Sequence, residues 1–318
     1  MLYDFVSLAD CTSDEIYELL ELSDAVKKMQ REGKVYRPLD GQSLAMIFEK
    51  PSLRTRVTFE TGIFQLGGHG VVMGGDGSRL GERESVADVA RNLDRWVDGI
   101  MARTFSHKAV LDLAKHAAIP VINALTDEEH PCQVLADAQT LREHKGDFQN
   151  LKLAFVGDGN NVAASWLQFC AKVPLNFTLV CPEGYETPKE LTEAVKRDAK
   201  GTIEITHSLE EGMKDADAVY TDVWASMGQE SEQIERERIF KPYQVNARAM
   251  AMAKPDAVFM HCLPAKRGKE VTGDVMDCPH SVVFDGAENR LHAQKAIMVK
   301  LMQRDAQGLS PKRRLCAG

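Results

Sequence analysis

The chain has 318 residues, enough for about two domains with sizeable cores. Its 39 Lys and Arg are outnumbered by 47 Asp and Glu, and the formal net charge of −8 favours neither nucleic acid nor an anionic membrane surface as a partner. An anion site, if present, must be local. Seven cysteines (Cys11, Cys132, Cys170, Cys181, Cys262, Cys278 and Cys316) form no paired framework and are odd in number, as expected for reduced thiols. With no basic and apolar leader and no apolar run long enough for a bilayer, the expected location is cytoplasmic, away from membranes.

The first predicted element is a helix over residues 13–31. Short apolar runs at 44–48, 70–73, 99–102 and 121–124 then alternate with helix-like stretches at 54–66, 82–96 and 108–117, and a long helix is expected over 131–144. The polar stretch 145–150 marks a boundary, after which strands are predicted at 152–156, 177–180, 203–206, 219–223 and 258–261 with helices interleaved. A last helix over 288–304 precedes the basic segment 310–314. This alternation predicts an α/β protein with two doubly wound parallel-sheet domains. Polar clusters are then expected at the carboxyl ends of strands.

Ser52-Leu53-Arg54-Thr55-Arg56 follows the first apolar run and opens a helix. A helix start with hydroxyls and guanidinium forks suits a phosphate or carboxylate. The alternative is a plain Ser52 cap followed by solvated arginines. Four more clusters end strands: Arg103-Thr104-Phe105, His130-Pro131-Cys132-Gln133, Asp222 to Gly228, and His261-Cys262-Leu263-Pro264. Taken singly, His130 and His261 can be structural histidines, Asp222 a helix cap and Asn161 a loop residue. The His-Cys spacings do not match zinc knuckles, so no metal is expected. Gly157-Asp158-Gly159-Asn160-Asn161 lacks the third glycine of a dinucleotide loop, and no Gly-x-Ser-x-Gly elbow occurs. No cofactor is expected.

In chain order, Ser52-Leu53-Arg54-Thr55-Arg56, Arg103-Thr104-Phe105, His130-Pro131-Cys132-Gln133, Asp222-Val223-Trp224-Ala225-Ser226-Met227-Gly228 and His261-Cys262-Leu263-Pro264 resemble the aspartate/ornithine carbamoyltransferase superfamily. Ser226-Met227-Gly228 and His261-Cys262-Leu263-Pro264 point within it to the ornithine carbamoyltransferases. The resemblance implies carbamoyl transfer from carbamoyl phosphate to the side-chain amine of L-ornithine, giving L-citrulline and phosphate, as in arginine biosynthesis. It implies a carbamoyl-phosphate domain over 1–146, an ornithine domain over 147–287, and over 288–318 a helix returning to the first domain with a basic tail. It also implies a homotrimer or a higher assembly of trimers.

By the same resemblance, carbamoyl phosphate is held by Ser52, Leu53, Arg54, Thr55, Arg79, Arg103, His130, Gln133, Cys262, Leu263 and Arg290. Ornithine is held by Asn161, Asp222, Ser226 and Met227, and catalysis falls to Arg103, His130 and Cys262. The Cys262 thiol can be a proton acceptor or a neutral lining group. Arg79 departs from the pattern, since relatives usually carry Gln there on a loop that reaches a neighbouring subunit. The alternatives are another amine acceptor, such as a modified ornithine or putrescine, and a catalytically silent anion-sensing module.

Overall fold

The computed structural model describes residues 2–74, 79–226, 228, 230–305 and 308–313. The chain divides into two compact units, residues 1–139 with 289–318, and residues 140–288.

The first unit carries strands β1 (Ser43–Phe48), β2 (His69–Gly74), β3 (Gly99–Arg103) and β4 (Val121–Leu125), all parallel, in the order β2-β1-β3-β4. β3 and β4 are buried along their whole length, which explains their largely apolar composition, and the buried Asn123 within β4 donates to Val6 O at 2.9 Å; β2 is an edge strand and largely exposed. Alternate residues Ala45, Ile47, Ile100 and Ala102 pack with Leu93, Val110 and Leu113 on one side of the sheet. The terminal helix Val283–Met302 starts before the predicted residue 288, and from Asn289 onward belongs to this unit. Gly62 lets it come close: a Cβ there would lie 3.0 Å from Met298 Cε and 3.2 Å from Lys295 Cγ. Lys27 Nζ donates to Asn289 Oδ1 at 2.7 Å, and Lys295 Nζ to Gln30 and Gln65 at 2.9 and 3.0 Å. Helix Val86–Trp96 starts later than predicted because the Ser85 hydroxyl accepts the Asp88 N–H and caps it there.

The second unit carries β5 (Lys152–Val156), β6 (Asn176–Val180), β7 (Ile203–Thr206), β8 (Ala218–Thr221) and β9 (Val258–His261), all parallel, in the order β7-β6-β5-β8-β9. Ala154, Val156, Val219 and Phe259 face Met213, Ala249 and Val275. The intervening positions build an aromatic layer, in which Phe155 stacks on Tyr220 at 5.2 Å and Trp166 meets Tyr220 edge-on at 6.0 Å. Among the described residues, no helix is long and apolar enough to cross a membrane.

Strand order reverses between β1 and β3 in the first sheet and between β5 and β8 in the second, and ligands of such sheets bind at these points, at the strands' carboxyl ends. The aromatic layer supports the second of them. Phe155→Ala, which empties a fully buried ring position, is expected to cost about 3–5 kcal/mol, read as a lowered denaturation midpoint by circular dichroism.

Candidate functional site

In the first unit Phe48 pairs with Arg103 across β1 and β3, so the chain leaves both strands side by side. After β1, Ser52 caps helix Leu53–Gln65, its hydroxyl accepting the Thr55 N–H at 3.1 Å. Leu53 is exposed, Arg54 half-buried and Thr55 buried. Arg56 points to the surface, 3.6 Å from Glu60 one turn on.

Arg290 on the terminal helix donates to Thr55 Oγ1 at 3.1 Å and to Gln133 Oε1, and Gln133 Nε2 donates onward to Asp137 at 3.0 Å. Arg103, His130, Gln133 and Arg290 are all buried. Burial holds the His130 imidazole well below its ordinary pKa, helped by the charges of Arg290, Arg103, Arg54 and Lys50 in that order. His130 is therefore neutral among cations. The expected residues Ser52, Arg54, Thr55, Arg103, His130, Gln133 and Arg290 thus belong to one neighbourhood.

Sequence reasoning missed Glu49 and Lys50. The Glu49 carboxylate accepts the Leu80 N–H at 2.7 Å and the Phe105 N–H at 2.9 Å, tying the loop after β2 to the loop after β3. Lys50 is buried, pairs with Asp127, and lies over the Phe105 ring at 4.5 Å. Arg79, exposed, covers the same ring at 4.3 Å. The signal available was position, since both Glu49 and Lys50 stand between β1 and the Ser52-capped helix that follows it.

In the second unit Val156, Thr221 and His261 share a register row, and the following residues Gly157, Asp222 and Cys262 emerge together. Asp222 Oδ1 accepts from Cys262 Sγ at 3.0 Å and from the Val223 N–H at 2.8 Å; its Oδ2 accepts from Asn160 Nδ2 at 2.8 Å. Asn160, a residue that sequence reasoning did not assign to the site, is thus bonded to Asp222. Its Oδ1 also caps helix Asn161–Cys170, and Asn161 is half-buried at that helix's first position. Ser226 is half-buried, and Met227 lies outside the described residues.

Leu263, which follows Cys262, has φ +59° and donates its N–H to His261 Nδ1 at 2.8 Å. That bond leaves His261 Nε2 as the protonated nitrogen, 3.4 Å from buried Glu270. Asp158, one residue past Gly157, pairs with Arg236 at 2.8 Å; burial raises its pKa against that charge. Asp222, His261 and Cys262 carry ligand-type atoms within 4.8 Å of one another, yet these atoms already bond within the unit. Cys132 donates its thiol to Asn123 O at 3.2 Å and is pushed by burial up to about 12, which makes it a packing residue.

Two parallel sheets, each with polar residues gathered at its switch point, match two family models that together span the chain. Residues 3–143 match the aspartate/ornithine carbamoyltransferase carbamoyl-P binding domain, and residues 149–301 the Asp/Orn binding domain. The chain belongs to the aspartate/ornithine carbamoyltransferase family. It is 53% identical to an ornithine carbamoyltransferase of Thermococcus kodakarensis, over 94% of this chain and 96% of that one. It is 52% identical to one of Chlorobaculum tepidum, over 95% and 90%. The solved ornithine carbamoyltransferase of Pyrococcus furiosus superposes with a TM-score of 0.91 at 50% identity, covering 94% of this chain and 96% of that chain.

His130 sets a pH dependence whose sign follows from its lowered pKa. As pH falls below about 6.5, the unfolded chain takes up a proton at this residue that the folded chain refuses, so stability drops by up to about 1.4 kcal/mol per pH unit. His130→Asn should flatten that part of a denaturation-against-pH profile. In ¹⁵N NMR the His130 ring should keep a neutral pattern through its ordinary value.

Proposed function

We propose that the chain is an ornithine carbamoyltransferase, transferring the carbamoyl group of carbamoyl phosphate to the side-chain amine of L-ornithine. The observation that carries this reading is the buried group Arg103, His130 and Arg290 beside the Ser52-capped helix start, in a chain about half identical throughout to ornithine carbamoyltransferases. The same reading gives the chain a place in arginine biosynthesis; a Pyrococcus furiosus relative, 50% identical, is an anabolic ornithine carbamoyltransferase.

Carbamoyl phosphate is a compact anion. The Leu53–Gln65 helix start offers it backbone N–H groups, while Ser52, Arg54, Thr55 and Arg103 offer hydroxyls and guanidinium forks. Arg290 and Gln133 hold each other and can take the carbamoyl end. When the amine lone pair attacks the carbonyl carbon, charge moves onto the carbonyl oxygen. Arg103, Thr55 and neutral His130 are the donors assigned to that oxygen, and losing one such donor typically costs about 2.7–4 kcal/mol of activation free energy. The tetrahedral species then expels phosphate as the C–O bond breaks, and the amine loses its proton.

The acceptor arrives with two ammonium groups, and its side-chain amine, with a pKa near 10.4 as in lysine, must lose a proton to react. Asp222 is assigned to the α-ammonium, Asn161, Ser226 and the Met227 backbone to the α-carboxylate, and Cys262 and Leu263 to the reacting amine and the carbamoyl group. The Cys262–Asp222 hydrogen bond supports treating thiol and carboxylate as one unit that meets the amine. Glu49 and Lys50 join the first site as positioning residues through the Phe105 loop.

Citrulline should form from carbamoyl phosphate with ornithine, and not with aspartate or putrescine as products of comparable rate. Asp222→Asn should lower kcat/KM for ornithine about 10- to 100-fold, the worth of a hydrogen bond to a charged group, while calorimetry still detects carbamoyl-phosphate binding. Faster turnover of putrescine than of ornithine by the unaltered enzyme would assign it another acceptor, and no turnover of any amine would leave only anion binding.

A trimeric assembly is part of the same proposal. Leu53, Val57 and Phe64 are 74%, 51% and 76% exposed and recur on one helix face, an apolar stripe that a second copy would cover. With Arg79 reaching a neighbour's carbamoyl phosphate, each site is composite. Inactive Arg54→Ala and Arg79→Ala proteins should then recover activity when their subunits are mixed, because some interfaces regain both residues. Full activity of the Arg79→Ala protein alone would take Arg79 out of the site.

A further inference from the structure

Parallel register places a second set of reactive side chains on the carboxyl edge of the second sheet. Val180 at the end of β6 pairs with Thr206 at the end of β7, so the next residues, Cys181 and His207, leave the sheet side by side. Glu186 comes from the loop that follows Cys181. One ligand-type atom from each of the three lies within 4.8 Å of the other two.

The hydrogen bonds decide what this cluster can hold. His207 Nδ1 lies 2.8 Å from the Cys181 carbonyl oxygen, which can only accept, so Nδ1 carries the proton. The other nitrogen, Nε2, faces Glu186 Oε1 at 3.5 Å. A neutral Nε2 and a carboxylate oxygen are both acceptors and repel, so either a proton or a metal cation belongs between them. A proton gives a simple imidazolium–carboxylate pair. The cation alternative draws support from the third member, since Cys181 Sγ has no part in such a pair yet completes a sulfur, nitrogen and oxygen donor set.

Tetrahedral bonds of about 2.0–2.2 Å place nitrogen and oxygen ligands about 3.3–3.5 Å apart, the spacing of Nε2 and Oε1 here. A carbonyl holding the far side of a ligating imidazole is the usual outer support of a metal site. The Gly184 N–H donates to Glu186 Oε1 at 3.1 Å and the Tyr243 hydroxyl to His207 O at 2.9 Å, so the ligand-bearing loops are held from behind. Cys181 is buried, whereas the His207 and Glu186 side chains are 49% and 32% exposed, which gives solvent a path to the cluster.

We propose that Cys181, Glu186 and His207 form a site for a borderline divalent cation of the Zn²⁺ class, bound through Sγ, a carboxylate oxygen and Nε2, with the fourth position left to water. Binding releases the thiol proton to solvent, since a coordinated sulfur is a thiolate. Without metal the thiol stays neutral, pushed by burial and by the Glu186 and Asp158 charges up to about 12. The site lies apart from the residues assigned to the transferase reaction, but it leans on their support. The Gly159 N–H donates to Tyr185 O at 2.8 Å, and a Cβ on Gly159 would come within 2.4 Å of the Glu186 and Thr187 backbone. A cation fixing Glu186 therefore stiffens the loop against which the Asn160 turn is packed.

Cobalt(II) titrated into the reduced full-length protein tests this, because thiolate coordination gives a sulfur-to-metal absorption band that a carboxylate or imidazole cannot. The expected result is such a band, displaced by Zn²⁺, abolished in Cys181→Ser and retained in Cys262→Ser. In His207→Gln, an exposed position where folding is not at stake, affinity should fall at least about tenfold. The proposal is overturned if the unaltered protein shows no thiolate band. It is equally overturned if the band is unchanged in His207→Gln, or is lost in Cys262→Ser and kept in Cys181→Ser, which would place the metal at Asp222, His261 and Cys262.

Discussion

Strand register in two parallel sheets is the constraint on which everything chemical in this protein depends. A parallel strand can present reactive residues only past its carboxyl end, and hydrogen-bonded neighbours end in step. In the second sheet Val180, Val156, Thr221 and His261 form one continuous row with Thr206 at its far end. The residues one step on are Cys181, Gly157, Asp222, Cys262 and His207, from five segments spread over about a third of the chain. Gly157, at the middle, has φ +142°, a conformation that L side chains rarely adopt, and it follows β5, where strand order reverses. Half of that edge carries Asp222 and Cys262, the other half Cys181 and His207.

The first sheet uses the same rule with opposite charge. Phe48 and Arg103 end in register, and Glu49, Lys50 and Thr104 follow. Buried cations are costly unless paired; Lys50 has Asp127, and Arg290 donates to Gln133 and Thr55. His130 gives up its proton readily in this field, which removes one charge from the cluster and leaves a neutral donor. On the proposed reading, carbamoyl phosphate, an anion with several oxygens, offsets part of the remaining charge. The second unit answers with carboxylates, Asp222 and Asp158, the latter paired to Arg236. On that reading, the first sheet's switch point meets the phosphate anion, and Asp222 at the second meets an ammonium group.

Much of this was legible in the sequence because it rests on local signals. Apolar residues marked the strands of both sheets, unbroken at 44–48 and interrupted in others by a polar residue such as Glu204 of β7, and Ser52 was placed ahead of a helix that it does cap. Asp222 was found through its motif, and its strand was read two residues too long: β8 stops at Thr221, since the Asp222 side chain takes the Val223 N–H for itself. What escaped was pairing across the sheet. Asn160 looked like half of a failed dinucleotide loop, yet it joins Asp222 across a separation of 62 residues while capping its own helix. Glu49 and Lys50 lie between a strand and a motif, where sequence gives no direction to a side chain. The early start of the terminal helix at Val283 was hidden because its first turn lacks the capping pattern that marks other helix starts.

Arg79 illustrates how far local reading and tertiary context can differ. As an exposed arginine on a glycine-rich loop it looks like an ordinary surface residue. Its ring partner is Phe105, which follows Arg103 by two residues and carries Lys50 at nearly the same distance. Two cations on one ring repel, and a single quadrupole worth about 0.5–1 kcal/mol per exposed contact does not cancel that repulsion. Glu49 holds the arrangement by accepting the N–H groups of both Leu80 and Phe105, so the backbone cannot move either cation away without breaking a charge-assisted bond. The loop is therefore tied to the switch point by its own main chain, and Arg79 is kept beside Lys50 at the edge of a cationic cluster. So placed, its exposed guanidinium adds positive charge at the rim of that cluster.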